Sequence, residues 1–565
     1  MSPKFSLIPA MACVLMLAAC QSGPHATADI ASAEEAVSPV APPPPAPPAS
    51  IEVMASATDA AFAGNAKMAR SMAPMVAMPS YPAPTHTNTE NYERPADNPV
   101  KRARETPLST FSIDVDTGSY SNVRRMLATG VRPPADSIRA EEFINYFRYG
   151  HAAPATRAVP FRVSTELAPS PFNANRQLMM IGIKGYEVPK TTLPPSNLVF
   201  LIDTSGSMME EDKLPLVKAA LRKLVPQMRA QDRVGIVAYA GSAGLVLPPT
   251  PGDRHDEILG ALDRLEAGGS TNGGDGIQLA YKVAREAYRE GGVNRVLLLT
   301  DGDFNVGVVN RKALETLVAD QRKSGIALST LGFGTGNYND AMAERLADVG
   351  NGNHAYIDSV REAEKVLVRD MQSTLLTIAS DVKIQVEFNP AVVAEYRLIG
   401  YENRALRDED FDNDAVDAGE IGAGHEVTAL YEVALVGSGG ERLPKLRYTS
   451  PKNSGSTSDE IAHLKLRYKM PGSDASRLIE RPILRTALRA SASPTLRFAA
   501  AVAGFADLLR GGTNTVGWDV KRLRNLAASG LGADTNGDRR EFIGLIERAG
   551  RLLESGDEEL HVGGD

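Results

Sequence analysis

Five residues with oxygen-bearing side chains follow strand-like or loop segments in the middle of the chain. Asp203, Ser205 and Ser207 come directly after an apolar run, Asp301 closes a second apolar run, and Thr271 lies in a Gly-rich loop. Because alternate residues of an extended segment share a face, the first three can point at one spot. All five offer hard oxygen ligands and neither His nor Cys joins them, which suits Mg²⁺, Mn²⁺ or Ca²⁺ rather than Zn²⁺. The pattern predicts a metal site.

The alternative interpretation of the first motif is structural. Asp203 and Ser205 could cap the helix that follows them, as Asp and Ser side chains often do. Capping accounts for this motif but not for Thr271 and Asp301, so the metal site is the favoured prediction.

The elements that must position these residues alternate between strand and helix patterns. Strands are predicted at 198–202, 233–239, 293–300 and 326–333, and helices at 213–228, 256–266, 277–290, 311–323, 339–349 and 362–376. Strands separated by helices of this length predict an α/β fold with a doubly wound, mostly parallel sheet. Ligands in such sheets bind beyond the carboxyl ends of the strands, where the polar residues lie.

Three separated motifs resemble the metal-ion-dependent adhesion site of von Willebrand factor type A (VWA) domains. They are Asp-x-Ser-x-Ser at 203–207, the Gly-Gly-Ser-Thr loop at 268–271 and Thr-Asp-Gly at 300–302, and the resemblance covers 196–375. It implies that Ser205, Ser207 and Thr271 approach the metal directly. Asp203 and Asp301 would act mostly through water or hydroxyl hydrogen bonds. Hydroxyl ligands do not neutralise a cation, so a carboxylate from a protein partner can fill its open coordination position.

The flanking sequence extends the predicted architecture. Alternating apolar patterns predict a β-sandwich from 161–190 and 380–470, with the VWA domain inserted between its strands, and residues 480–557 have helical spacing. A short segment, 106–150, precedes these elements. With these features and an N-terminal lipobox, the chain resembles the bacterial YfbK-like lipoproteins. These proteins carry a short segment before the type A domain and a domain of unknown function after it.

The N-terminus has the features of an export signal. An apolar stretch at 5–19, too short to span a bilayer, ends in Leu17-Ala18-Ala19-Cys20, which resembles a bacterial lipobox. Cleavage after residue 19 would leave Cys20 as the lipidation site, and Gln21 indicates the outer membrane. Residues 1–20 are thus predicted to be a lipoprotein signal peptide. The alternative is an ordinary secretory signal with an incidental cysteine. The Pro- and Ala-rich residues 21–105 predict a disordered tether.

Composition limits the function further. The net charge of −8 over 565 residues is small and argues against nucleic acid as a partner, and two cysteines exclude a disulfide framework. The chain contains no P-loop, GxSxG or HExxH motif, so it is not expected to be an enzyme. The leading hypothesis is a lipid-anchored envelope protein that binds protein partners through a cation. The alternatives are a metal-dependent hydrolase that uses the same cation, and a structural brace with a vestigial site.

Overall fold

The computed structural model describes residues 90–92, 96–113, 116–269, 273–302, 311–336, 338–416, 418–444 and 459–562. The strands are β1 (Lys101–Arg102), β2 (Leu108–Ser112), β3 (Phe161–Pro169), β4 (Gln177–Gly185), β5 (Ser196–Asp203), β6 (Arg233–Tyr239), β7 (Ala243–Pro251), β8 (Val293–Thr300), β9 (Ala327–Phe333), β10 (His354–Ile357), β11 (Thr377–Phe388), β12 (Val393–Ile399), β13 (Ile421–Gly422), β14 (Glu426–Leu435), β15 (Glu460–Lys469) and β16 (Ser476–Leu484). The helices are α1 (Gly118–Ala128), α2 (Ala140–Asn145), α3 (Leu214–Leu224), α4 (His255–Asp263), α5 (Gly273–Glu286), α6 (Arg311–Arg322), α7 (Asp340–Val349), α8 (Val360–Glu364), α9 (Met371–Leu375), α10 (Pro494–Leu509), α11 (Val520–Ser529) and α12 (Asp538–Val562).

A six-stranded sheet in the order β10-β9-β8-β5-β6-β7 forms the centre of the fold. All neighbouring pairs are parallel except β6 and β7. Both faces of β5 are buried: Leu198, Phe200 and Ile202 pack in the core that includes α3 and α4. Val199 and Leu201 pack in the core that includes α5 and α6. A strand covered on both faces must be apolar throughout, which explains its continuous hydrophobic run. The predicted mostly parallel sheet is confirmed.

Two elements of this sheet were not predicted, and one helix differs. The edge strand β7 contains three prolines, a residue tolerated at edges because no neighbour needs its missing N–H. The strand β10 has only four residues. The helix predicted at 362–376 is divided into α8, a π-helical turn at Lys365–Arg369, and α9.

Two antiparallel sheets pack on either side of one hydrophobic core. One has the order β1-β12-β14-β4-β3, and the other has the order β13-β11-β15-β16 with β2 paired to β11. The chain leaves this sandwich after β4, forms the parallel sheet, and returns at β11. Because β1, β2 and β16 also join it, the sandwich extends beyond the predicted ranges 161–190 and 380–470.

The C-terminal region is helical, as predicted, and shares a second core with α1 and α2. Tyr120 and Phe143 of the N-terminal segment pack with Phe498 and Phe542 of α10 and α12. The segment predicted at 106–150 is therefore divided, because β2 belongs to the sandwich while α1 and α2 belong to the helical layer. Asp534 caps the start of α12. Its carboxylate accepts hydrogen bonds from the backbone N–H groups of Arg539, at 3.2 Å, and Arg540, at 3.0 Å, in the first turn of the helix.

The N-terminal predictions fall on residues that the structure does not describe. The signal sequence, Cys20 and the tether as far as residue 89 lie outside the described residues. The prediction that the tether reaches residue 105 is wrong, because Lys101–Arg102 form β1, which pairs with β12 of the sandwich. Among the helices that are described, none combines the length and apolar character needed to cross a membrane.

Candidate metal centre

The carboxyl ends of β5 and β8 bring two aspartates to one edge of the parallel sheet. These strands are direct neighbours, paired from Ser196–Val293 to Ile202–Leu299. Asp203 is the last residue of β5, and Asp301 directly follows the last residue of β8. Both side chains have no solvent exposure. Parallel pairing in this register therefore places two buried carboxylates at the edge where such folds bind ligands.

Hydroxyl and backbone N–H groups surround the Asp203 carboxylate. The backbone N–H of Ser205 donates to Oδ1 at 2.9 Å. The Tyr239 hydroxyl donates to Oδ2 at 3.0 Å, with the Thr300 hydroxyl at 3.4 Å from the same atom. Burial raises the pKa of Asp203 to about 6, and the nearby charge of Asp301 adds to the rise, while the hydrogen bonds from Ser205 and Tyr239 oppose it. A bound cation would favour the ionised form of this carboxyl.

Ser205 and Ser207 present adjacent hydroxyl groups above Asp203. Their Oγ atoms lie 3.1 Å apart, with Ser205 buried and Ser207 exposed. Neither Asp203 nor Ser205 caps α3, which begins at Leu214 and has no side-chain cap. The short 3₁₀ helix Gly206–Met209 also lacks a side-chain cap from Ser205. The capping alternative therefore does not describe these residues, and the two hydroxyls remain as candidate ligands.

The Gly-rich loop approaches this motif from α4. Gly206 donates its N–H to the carbonyl of Gly269 at 3.0 Å, and Gly268 donates to the carbonyl of Thr204 at 2.8 Å. These two bonds join the loop to the segment after β5. Thr271, the fifth predicted ligand, lies outside the described residues, and its position stays a prediction.

Asp301 has a partner that the sequence analysis missed. The ammonium group of Lys213 lies 3.1 Å from Oδ2 of Asp301, and the lysine side chain is only 4% exposed. Lys213 follows the acidic run 210–212, in which Glu210 and Glu211 are exposed. The contact joins residues 88 positions apart, so no local pattern could reveal it. Tyr239 could have been found, because it ends the strand next to β5.

The donor set fits a hard divalent cation. Carboxylate and hydroxyl oxygens from Asp203, Ser205, Ser207 and Asp301 are the ligand type that Mg²⁺ and Ca²⁺ prefer. The Lys213 ammonium already places one positive charge against Asp301, so a metal cation would share this carboxylate with the lysine. Within the described part of the chain, no group of three or more His, Cys, Asp or Glu residues could hold a metal by itself. Any metal here would therefore depend on the hydroxyl ligands.

The fold and this arrangement define a VWA-domain protein. The family model described as "von Willebrand factor type A domain" matches residues 197–374. A second family model, described as "von Willebrand factor", matches residues 86–180. A third family model, described as "Uncharacterized protein YfbK, C-terminal", matches residues 373–552. The chain is 48% identical over 472 residues to the uncharacterized protein YfbK of Escherichia coli, covering 82% of this chain and 81% of that protein. The chain belongs to the YfbK family.

More distant similarities concern parts of larger proteins or the fold. Human inter-alpha-trypsin inhibitor heavy chain H4 is 30% identical over 164 residues, which span 28% of this chain and 17% of that protein. A solved von Willebrand factor type A protein from Catenulispora acidiphila is 15% identical, covers 70% of this chain and 91% of its own, and has a TM-score of 0.38.

Proposed function

We propose that this protein is a lipid-anchored component of the bacterial cell envelope that binds a protein partner through a divalent cation. The cation would be Mg²⁺, with Mn²⁺ or Ca²⁺ as alternatives, held by Asp203, Ser205, Ser207, Thr271 and Asp301. The observation that carries the proposal is the meeting of two buried aspartates with the adjacent Ser205 and Ser207 hydroxyls at the sheet edge.

The chemistry of this donor set supports binding to an acidic partner. The hydroxyl ligands add no negative charge, and the Lys213 ammonium offsets part of the charge of Asp301, so a cation held here retains affinity for an anion. The exposed Ser207 lies at the solvent boundary, where a partner can reach it. An Asp or Glu side chain of the partner would supply the missing negative charge.

The same groups give little support for a hydrolase. Among the described residues, the groups that contact the two aspartates include the Tyr239 and Thr300 hydroxyls, the backbone N–H of Ser205 and the Lys213 ammonium. None of these donors accepts a proton readily at neutral pH, so none of them is a general base for metal-activated water.

A structural brace is the second candidate, and buried ion pairs favour it. Arg139, just before α2, contacts Asp340 of the VWA domain at 2.7 Å, with both side chains at most 5% exposed. Arg124 of α1 contacts Glu362 of α8 at 2.8 Å, again with both side chains buried. These contacts tie the VWA domain to the helical layer, as a brace would require.

The proposed attachment is lipidation of Cys20, with residues 21–89 as the tether and the outer membrane as the location. Metabolic labelling with a clickable palmitate analogue, comparing wild type with Cys20→Ala, tests the anchor. We expect label in the wild type alone. Equal labelling of the two proteins would refute lipidation at Cys20.

Crosslinking in intact cells tests cation-dependent binding against the brace. Crosslinked partners are compared for wild type and Ser205→Ala, each with Mg²⁺ and with EDTA. We expect specific partners only for wild type with Mg²⁺. Partners that persist with EDTA and in Ser205→Ala would favour the brace and contradict metal-dependent binding.

A further inference from the structure

Lys213 is a buried lysine whose position in the candidate metal centre is built by several elements. Its Nζ lies 3.1 Å from Oδ2 of Asp301, and neither side chain is more than 4% exposed. Lysines are seldom buried to this degree unless a charge compensates them, because removing an ammonium group from water is costly. The pair therefore belongs to the interior of the site.

A glycine provides the space for this lysine. Gly334 directly follows β9 and has a φ of +76°, a conformation that favours glycine. A Cβ atom at this position would lie 2.4 Å from Cγ and 2.5 Å from Cε of Lys213. The Lys213 stem thus crosses the end of β9 in contact with a backbone that leaves no room for a side chain.

The charges of the site have a simple balance. Of the described residues in this centre, Asp203 and Asp301, when ionised, and the Lys213 ammonium together carry a net charge of −1. Serine and threonine hydroxyls add no charge. A divalent cation would bring the group to +1, and one further carboxylate would make it neutral. Without the lysine, the cation alone would neutralise the two aspartates.

We propose that Lys213 makes cation binding at this centre depend on a bound anion, such as the carboxylate of a protein partner. The lysine repels the cation in the absence of an anion and leaves a positive excess that a carboxylate compensates. Because a buried uncompensated charge is costly, the cation and the carboxylate bind with positive coupling. This role rests on the proposed function and assigns Lys213 as the residue that couples its two ligands.

Calorimetric titration of Mg²⁺ into the purified mature protein, with and without sodium acetate at constant ionic strength and pH 7.5, tests this role. Acetate is the carboxylate probe. For wild type we expect acetate to raise the Mg²⁺ affinity about fivefold or more, the usual lower range of coupling between sites. Lys213→Met should bind Mg²⁺ about tenfold or more tightly without acetate, because one unit of repulsion is removed. Its response to acetate should be lost.

Matched variants separate the local charge from other effects. Lys218→Met removes a charge from α3, the helix that begins directly after Lys213, and should behave as wild type; its Nζ contacts the backbone carbonyl of Leu265 at 2.6 Å. Gly334→Ala displaces the Lys213 stem without removing its charge and should shift affinity in the same direction as Lys213→Met. Gly336→Ala shares the positive φ, at +91°, but its Cβ would meet no atom of the described residues within 4 Å, and it controls for backbone strain.

The outcomes distinguish this role from the proposed function. Equal Mg²⁺ affinity and equal acetate response in wild type, Lys213→Met and Gly334→Ala would overturn the role of Lys213 alone. Weaker Mg²⁺ binding by Lys213→Met would overturn it as well. Absence of Mg²⁺ binding in every protein, with or without acetate, would overturn both proposals.

Discussion

Replacing Asp203 by asparagine should stabilise the metal-free protein while removing its response to Mg²⁺. Burial raises the pKa of Asp203 from 3.8 to about 6, so ionising it in the folded state is unfavourable. A shift of about 2 units at ~1.36 kcal/mol per unit corresponds to about 3 kcal/mol. Asparagine carries no charge and keeps an acceptor for the Ser205 N–H, but its amide must reverse the hydrogen bond with Tyr239. We therefore expect a net gain of about 1–3 kcal/mol at pH 7.5.

The pH dependence gives the sign of this effect. Between roughly pH 4 and pH 6 the folded protein binds more protons at Asp203 than the unfolded chain does, so the wild type loses stability as the pH rises through this window. Above pH 6 the wild type bears the full free-energy cost of ionising Asp203 in the folded state. The advantage of Asp203→Asn should therefore be largest at pH 7.5 and fall below about 1 kcal/mol at pH 4.

Urea denaturation in EDTA at pH 7.5 and pH 4 measures this difference, with hydrogen exchange of the β5 and β8 amides as a local readout. A parallel series with Mg²⁺ and acetate should stabilise the wild type and leave Asp203→Asn unchanged, because a ligand stabilises only a fold that binds it. Asp263→Asn, at an exposed carboxylate on α4, is the matched control. The reasoning is refuted if Asp203→Asn is less stable than wild type in EDTA at pH 7.5, or if its gain is equal at the two pH values.

Three further predictions concern single residues. Ser207→Ala should lower the Mg²⁺ affinity measured by calorimetry while changing the stability in EDTA by less than about 0.5 kcal/mol, because the side chain is exposed; unchanged affinity would exclude it as a ligand. Arg139→Met should destabilise the protein by about 3–5 kcal/mol in urea denaturation, because buried Asp340 loses its counter-charge. Arg407→Met, at a 71% exposed side chain, should cost less than about 1 kcal/mol, and equal losses would contradict this account. Burial raises the pKa of Glu141 to about 8, so Glu141→Gln should be more stable than wild type at pH 8, with the gain vanishing by pH 4, and a gain at both values would contradict this cause.

The order and type of the central elements could be predicted because the inner strands, such as β5, are buried on both faces. Continuous apolar runs such as that of β5 leave few alternatives to a parallel sheet covered by helices. The edge strand β7 was missed because its prolines contradict the usual strand pattern, and the π-helical turn at 365–369 has no periodic signal. The division of the segment 106–150 depends on which core each part joins, which is a long-range property.

Prediction from the sequence has the same limit at the candidate site. Asp203 and Asp301 could be placed together because strand ends of a parallel sheet meet at one edge. The Lys213–Asp301 contact could not be predicted from the sequence, because it joins the start of a helix to the end of a distant strand. Local spacing identifies groups at strand ends, whereas the counter-charge that reaches them is set by tertiary packing.

Calorimetric titration of Mg²⁺ into wild type, Asp203→Ala and the exposed-site control Asp263→Ala tests the central claim most directly. The account predicts saturable binding by wild type and Asp263→Ala and no binding by Asp203→Ala, with carboxylate present in the buffer. Equal binding by wild type and Asp203→Ala would contradict it.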